Sequence, residues 1–236
     1  TIDCSNNQFS HLDLSQNSNL KNLNCEDNLL SNLDLSQNIN LKDFNCRNNL
    51  LTNLDVSQNP SLLDFNCSYN QLDSLDLSQN LNLTELQCRN NMLNTLDVSQ
   101  NITLNHLGCR NNMLTSLDVS HNPNLITLDC RFNLLSTLDV RNGNNLNFTY
   151  FNAKPNDSLY CISVDDSTWA SNNWNQNWWT KYFCSQGCCD QYINTHLEAI
   201  VAIAPRREPL ETPIKDPTKN TDNHYYSSWN IEKKVS

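Results

Sequence analysis

The sequence is poor in the residues that most enzymes lean on. Its 236 residues include 3 Gly and 2 Met, and only 17 % of them are charged. An ordinary globular domain uses far more Gly. With so few, no glycine-rich loop is available to cradle a phosphate. Lys and Arg number 15 against 25 Asp and Glu, a net charge of −10. A chain of that sign does not attract a phosphate backbone, which excludes general nucleic-acid binding. Long apolar runs are missing too. The longest, Ala199 to Ala204, falls far short of the ~18 residues of a membrane span. The 5 His are scattered, and no nucleophile motif or metal-ligand spacing accompanies them. The expectation is a non-enzymatic protein with no cofactor, no metal, no nucleic-acid partner and no transmembrane segment. The chain begins at Thr1 without an initiator Met, as a processed form or a fragment would.

What is abundant is Asn, 43 times, and Leu, 35 times. A pattern copied many times enriches its own letters, so this bias points to a repeat array. The cysteines give the period. Cys4, Cys25, Cys46, Cys67, Cys88, Cys109 and Cys130 follow one another at intervals of 21. An Asn stands three residues after each, Asn7 to Asn133, and a Leu or Phe five residues after each. An Asp column runs from Asp13 to Asp139 with Leu or Val behind it. One unit reads L-x-x-L-x-C-x-x-N-x-L-x-x-L-D-L-S-x-N-x-x.

This unit resembles the leucine-rich repeat in a 21-residue bacterial form, and it is similar to secreted leucine-rich-repeat proteins of Bacteroidetes-type bacteria. The resemblance covers residues 1 to about 151. It implies a right-handed solenoid, with a parallel sheet on the concave face and a mostly extended or turn-like convex side.

Each unit then makes one turn of the solenoid. The x-L-x-C segment is a short strand with Leu or Phe and Cys pointing inward. The Asn column pairs buried backbone groups where the chain turns. The cysteines read as small inward hydrophobes, since metal sites usually need convergent ligands. Stacked aspartates are unfavourable unless compensated. Hydrogen bonds to neighbouring backbone amides would do that, and a calcium ladder is the alternative.

The period degrades after Val140, and Phe151 stands 21 residues after Cys130, where Cys is expected. A last coil contains Cys161-Ile162-Ser163-Val164-Asp165-Asp166, then Trp169 and Trp174. It resembles the segment that closes those bacterial arrays, where a downstream Cys bonds the first one. The resemblance implies a disulfide from Cys161 to Cys184, with Cys188 or Cys189 as the fallback. Trp169, Trp174, Trp178, Trp179, Tyr182 and Phe183 would form an apolar lid; a sugar-binding platform is the other reading. The expected division is an array over 1–151, a cap over 152–191, and a Pro-containing extended tail or linker over 192–236.

Disulfides would imply an extracellular or cell-surface setting. N-x-S/T sequons make Asn82, Asn101, Asn147 and Asn156 candidate glycosylation sites.

The outward columns of the strands are the candidate recognition surface. Before the Leu or Phe stand Asp43, Asp64, Glu85 and His106. Before the Cys stands Asp129, with Gly108 opening a dent in the same column. After the Cys come Arg47, Arg89, Arg110 and Arg131, then Tyr69 and Phe132 one position further on. One reading is a self-satisfied row of cross-strand ion pairs, worth little each. The other is a polar groove for a protein or glycan, anchored on the arginines and the two aromatics. The function expected is adhesion or interaction through that face. The alternative is a structural subunit of an extracellular filament, its tail docking on the bare first coil of a neighbouring copy.

Overall fold

The computed structural model describes residues 1–159, 161–174 and 182–184, with Tyr182 and Cys184 as backbone only. Eight short strands form one parallel sheet. They are β1 (Ile2–Asp3), β2 (Asn22–Asn24), β3 (Asp43–Asn45), β4 (Asp64–Asn66), β5 (Glu85–Gln87), β6 (His106–Gly108) and β7 (Thr127–Asp129), followed by β9 (Tyr150–Asn152). The register steps by 21 residues from β1 to β7, pairing Phe44 with Phe65 and Leu86 with Leu107. The 21-residue spacing therefore makes the parallel-strand solenoid that the repeat implied.

Within each coil the Leu or Phe and the Cys lie two residues apart, so both point inward. Leu86, Cys88, Leu93 and Val98 are all fully buried. Burying such a side chain is worth about 2 kcal/mol. A single coil would leave its ends exposed, so this core exists only in the stack. Phe44 and Phe65 stack at 5.3 Å between ring centroids.

Two asparagine ladders satisfy the turning backbone. Asn112 donates from Nδ2 to the carbonyls of Cys88 and Cys109, both at 3.0 Å, and its Oδ1 accepts from Leu93 N–H at 3.0 Å. Asn49, Asn70, Asn91 and Asn133 do the same. In the second ladder Asn101 donates to Leu77 and Asn80 carbonyls, as Asn59 and Asn80 do to theirs. The aspartate column is compensated by local bonds. Each Asp from Asp13 to Asp139 accepts the backbone N–H two residues on, at 2.8–3.0 Å.

The seven repeat cysteines are free thiols. Burial pushes Cys25 and Cys67 up to about 12 and holds Cys46, Cys88, Cys109 and Cys130 well above the ordinary range. They act as core.

One expectation is corrected. Phe151 does not take the cysteine position. It pairs with Leu128 in the Leu column. Two extra residues precede it, and Gly143, at φ 76°, lies in that loop. Ala153, 1 % exposed, fills the cysteine position. Asn156 restores the ladder by donating to Cys130 and accepting from Leu135.

The last coil builds a second parallel sheet, in which β10 (Cys161–Ser163) lies between β8 (Leu138–Asp139) and β11 (Tyr182–Cys184). Adjacent aspartates divide the work. Asp165 accepts from the N–H groups of Gly143 and Asn145. Asp166 caps α1 (Ser167–Asn173), accepting from Thr168 and Trp169 N–H at 2.8 and 2.9 Å. This satisfies two of the helix's orphan donors. Trp174 sits among Phe151 (4.5 Å), Trp169 (5.5 Å), Phe148 (5.8 Å) and Phe183 (5.9 Å). These rings pack on the core, as a lid does. Trp178, Trp179 and the Tyr182 side chain lie outside the described residues. Cys161 is disulfide-bonded. Its partner, Cys188, Cys189, the Cys184 side chain and the tail also lie outside them. No helix among the described residues is long and apolar enough to cross a membrane.

Candidate functional site

The outward face of the long sheet carries three columns, and they differ in reach. The middle column, just before each Cys, is buried: Asn45 3 %, Asn66 5 %, Gln87 4 % and Asp129 4 % exposed. Its role is local. Asn24, Asn45, Asn66 and Asp129 each accept the backbone N–H two residues on, which fixes the bend after the strand. Asp129 also holds Arg131 through two bonds, at 2.8 and 2.7 Å.

Gly108 opens no dent. The amide of Gln87 fills the space that a side chain there would need. From that position Gln87 donates to Glu85 at 3.3 Å.

The upstream column holds Asp43, Asp64, Glu85 and His106. Asp43, Asp64 and His106 are half-buried and Glu85 is buried. Burial foremost, then the neighbouring Asp64 charge, raises Asp43 above the usual carboxylate range. Burial also raises Glu85, against the pull of the Gln87 bond. Thr84 Oγ1 donates to Asp64 at 3.1 Å, and His106 shares a 2.8 Å bond with Thr127.

The downstream column holds Arg47, Arg89, Arg110 and Arg131, all half-buried. Arg131 pairs with Asp129 of its own coil. The Nε groups of Arg47 and Arg89 are buried without a hydrogen-bond acceptor. Burial, then the charge of Arg110, depresses Arg89. Ser68 interrupts the row, fully buried, with its Oγ unpartnered. The Arg47 guanidinium lies 4.9 Å from the Tyr69 ring centroid, a cation–π distance. The structure thus separates the candidate residues into two flanking columns, half-buried except at Glu85, and a buried spine, to which Asp129 belongs.

The glycosylation candidates divide in the same way. Asn82 and Asn147 are exposed. Asn101 and Asn156 are buried, and their Nδ2 groups are spent in the ladders. A glycan at either would require opening a coil, which corrects the sequon reading at both.

A surface that the sequence reading passed over runs along the downstream edge. Four residues after each Cys from Cys25 to Cys130 stand Leu29, Leu50, Gln71, Met92, Met113 and Leu134, of which Leu29, Met92 and Leu134 are 40–43 % exposed. The signal was an apolar residue beside the buried Leu, where a solvated position would be polar.

No family model matches the chain, and no curated protein does. Solved structures do. A leucine-rich-repeat protein of Leptospira interrogans superposes with a TM-score of 0.60 at 20 % identity, over 69 % of this chain and 54 % of that one. An internalin of Listeria monocytogenes gives 0.52 at 15 %, over 77 % and 58 %. The functional domain of InlJ from Listeria monocytogenes, which includes a cysteine ladder, is 29 % identical over 69 % and 54 %, with a TM-score of 0.37. The chain spans little more than half the length of these structures. Its fold is that of the leucine-rich-repeat proteins.

Proposed function

We propose that the chain is a non-enzymatic binding module that recognises a protein or glycan through the outward, concave face of its long sheet. The observation that carries this is the contrast between columns. The core columns keep Leu, Phe, Val, Cys or Asn from coil to coil, while the upstream column passes through Asn22, Asp43, Glu85, His106 and Thr127 and the downstream column through Glu26, Arg47, Ser68 and Arg89, most of them half-buried rather than buried. Strands in register hold those side chains on a rigid scaffold, which reduces the ordering cost of binding. Partly desolvated arginines and aromatics are the side chains that anchor interfaces. The disulfide-bonded state of Cys161 supports an extracellular or surface location, with the cap pinned to one of the downstream cysteines.

The test is a panel of extracellular proteins and surface glycans, immobilised and probed with the chain and with its Arg89→Glu/Arg110→Glu variant. Loss of binding with an unchanged melting profile supports the reading. A variant that binds every panel member as the parent does sinks it.

A further inference from the structure

Two residues after each repeat cysteine, the backbone turns left-handed. Asn6, Asp27, Asn48, Tyr69, Asn90, Asn111 and Phe132 all have φ between 52° and 57°. Asn and Asp tolerate that conformation, whereas bulky side chains rarely adopt it. In two coils the chain nevertheless places an aromatic there. Phe132 is 46 % exposed, so core packing does not explain it. The strain of such positions is a recognised mark of functional surfaces.

These residues lie between two other columns. One position upstream is the arginine row. It holds four of the five arginines within residues 1–174 of a chain with net charge −10. Two positions downstream is the exposed apolar edge with Met92 and Leu134. The three positions run side by side along the solenoid: the first is Arg in four coils, the second aromatic in two, the third apolar in five, and all three types meet in the last repeat at Arg131, Phe132 and Leu134.

We propose that this edge is a docking strip for an acidic segment of a partner polypeptide. Its carboxylates face Arg47, Arg89 and Arg110, and its apolar side chains lie on Met92, Phe132 and Leu134. The proposal rests on the binding reading above and names its partner. Charge complementarity selects an anion: repulsion from the acidic remainder of the chain steers it to this edge. The apolar column selects a polypeptide, since an anionic polysaccharide would satisfy the arginines and leave the apolar side chains wet.

The test uses the whole chain and three probes: a short peptide of Glu and Phe, the same peptide with Ser in place of Phe, and a polyuronate. The Glu/Phe peptide is expected to bind about tenfold more tightly than the other two. Arg89→Glu removes binding of both peptides. Phe132→Asn and Leu134→Ser abolish the tenfold preference, and Phe132→Asn does so while raising the melting temperature. Ile39→Ser, at an exposed apolar site in another column, changes nothing. Polyuronate binding as tight as that of the Glu/Phe peptide overturns the proposal, as does a preference that survives Phe132→Asn or an absence of binding to all three probes. If the edge variants change nothing while Arg89→Glu/Arg110→Glu still abolishes binding to a panel member, the edge proposal falls and the binding module stands. If neither set of variants alters any binding, both fall.

Discussion

The side-chain amide of Gln87 lies where a Cβ on Gly108 would be, one coil away in the same column of the sheet. The glycine is thus a seat for its neighbour. Gly108→Ala must push the amide off and break its bond to Glu85, at a cost of about 1 kcal/mol. In a Gln87→Ala background the same substitution should stabilise, by about 0.5 kcal/mol, because it restricts only the unfolded chain. A double-mutant cycle by denaturant unfolding reads this change of sign.

The asparagine ladder predicts a larger effect. Asn112→Ala strands the Leu93 N–H and withdraws a donor from two carbonyls in a buried turn. The expected loss is about 3 kcal/mol, measured as a lower urea midpoint. An equal substitution at exposed Asn82 should cost less than about 0.5 kcal/mol. Similar losses at the two sites would mean that the ladder contributes little.

The cysteine column should be chemically silent. Cys25 and Cys67 are pushed up to about 12 by burial, so no thiolate is present at neutral pH. Alkylation of Cys25 to Cys130 should follow global or coil opening, with partly exposed Cys4 reacting first. Rapid labelling of Cys88 in native conditions would contradict this. Cys88→Ser should cost about 2 kcal/mol by burying a hydroxyl without a partner.

The two sets of carboxylates respond oppositely to acid. Asp13, Asp34, Asp55, Asp76 and Asp97 are held below the usual range by the N–H and hydroxyl of the following serine. Their stabilisation is full above the ordinary aspartate pKa and is lost as pH falls through their lowered values. Asp43 and Glu85 are raised, chiefly by burial. They favour the folded state more when protonated, and that advantage fades as pH rises through their raised values. Glu85→Gln should therefore raise the melting temperature at pH 7. Asp34→Ala should lower it at pH 7 and flatten its fall below pH 4. Melting curves across that range check both signs.

The register of the strands, the buried cysteines and the turn-making asparagines were all legible in the sequence, because each is a column and a column shows as a period. What failed were the places where a side chain acts against its column. Phe151 was misplaced because a fixed period does not register the two extra residues of the loop around Gly143. Gly108 reads as a dent because the sequence shows a missing side chain but not the Gln87 amide that lies over it. Asn101 carried a sequon, but the ladder had already claimed its amide. At the candidate site the residue types were visible, and their exposure was not. Asp129 looked like a ligand contact and is 4 % exposed.

The ladders also have a direction. Asn49 reaches back to the Cys25 carbonyl and receives the N–H of Leu30, so each coil is finished by the one that follows it. A chain emerging from the ribosome would therefore settle from its first coil onward, each coil waiting only for the next length of nascent polypeptide. Among the described residues the last such rung is Asn156, which completes the coil of Cys130 and Leu135.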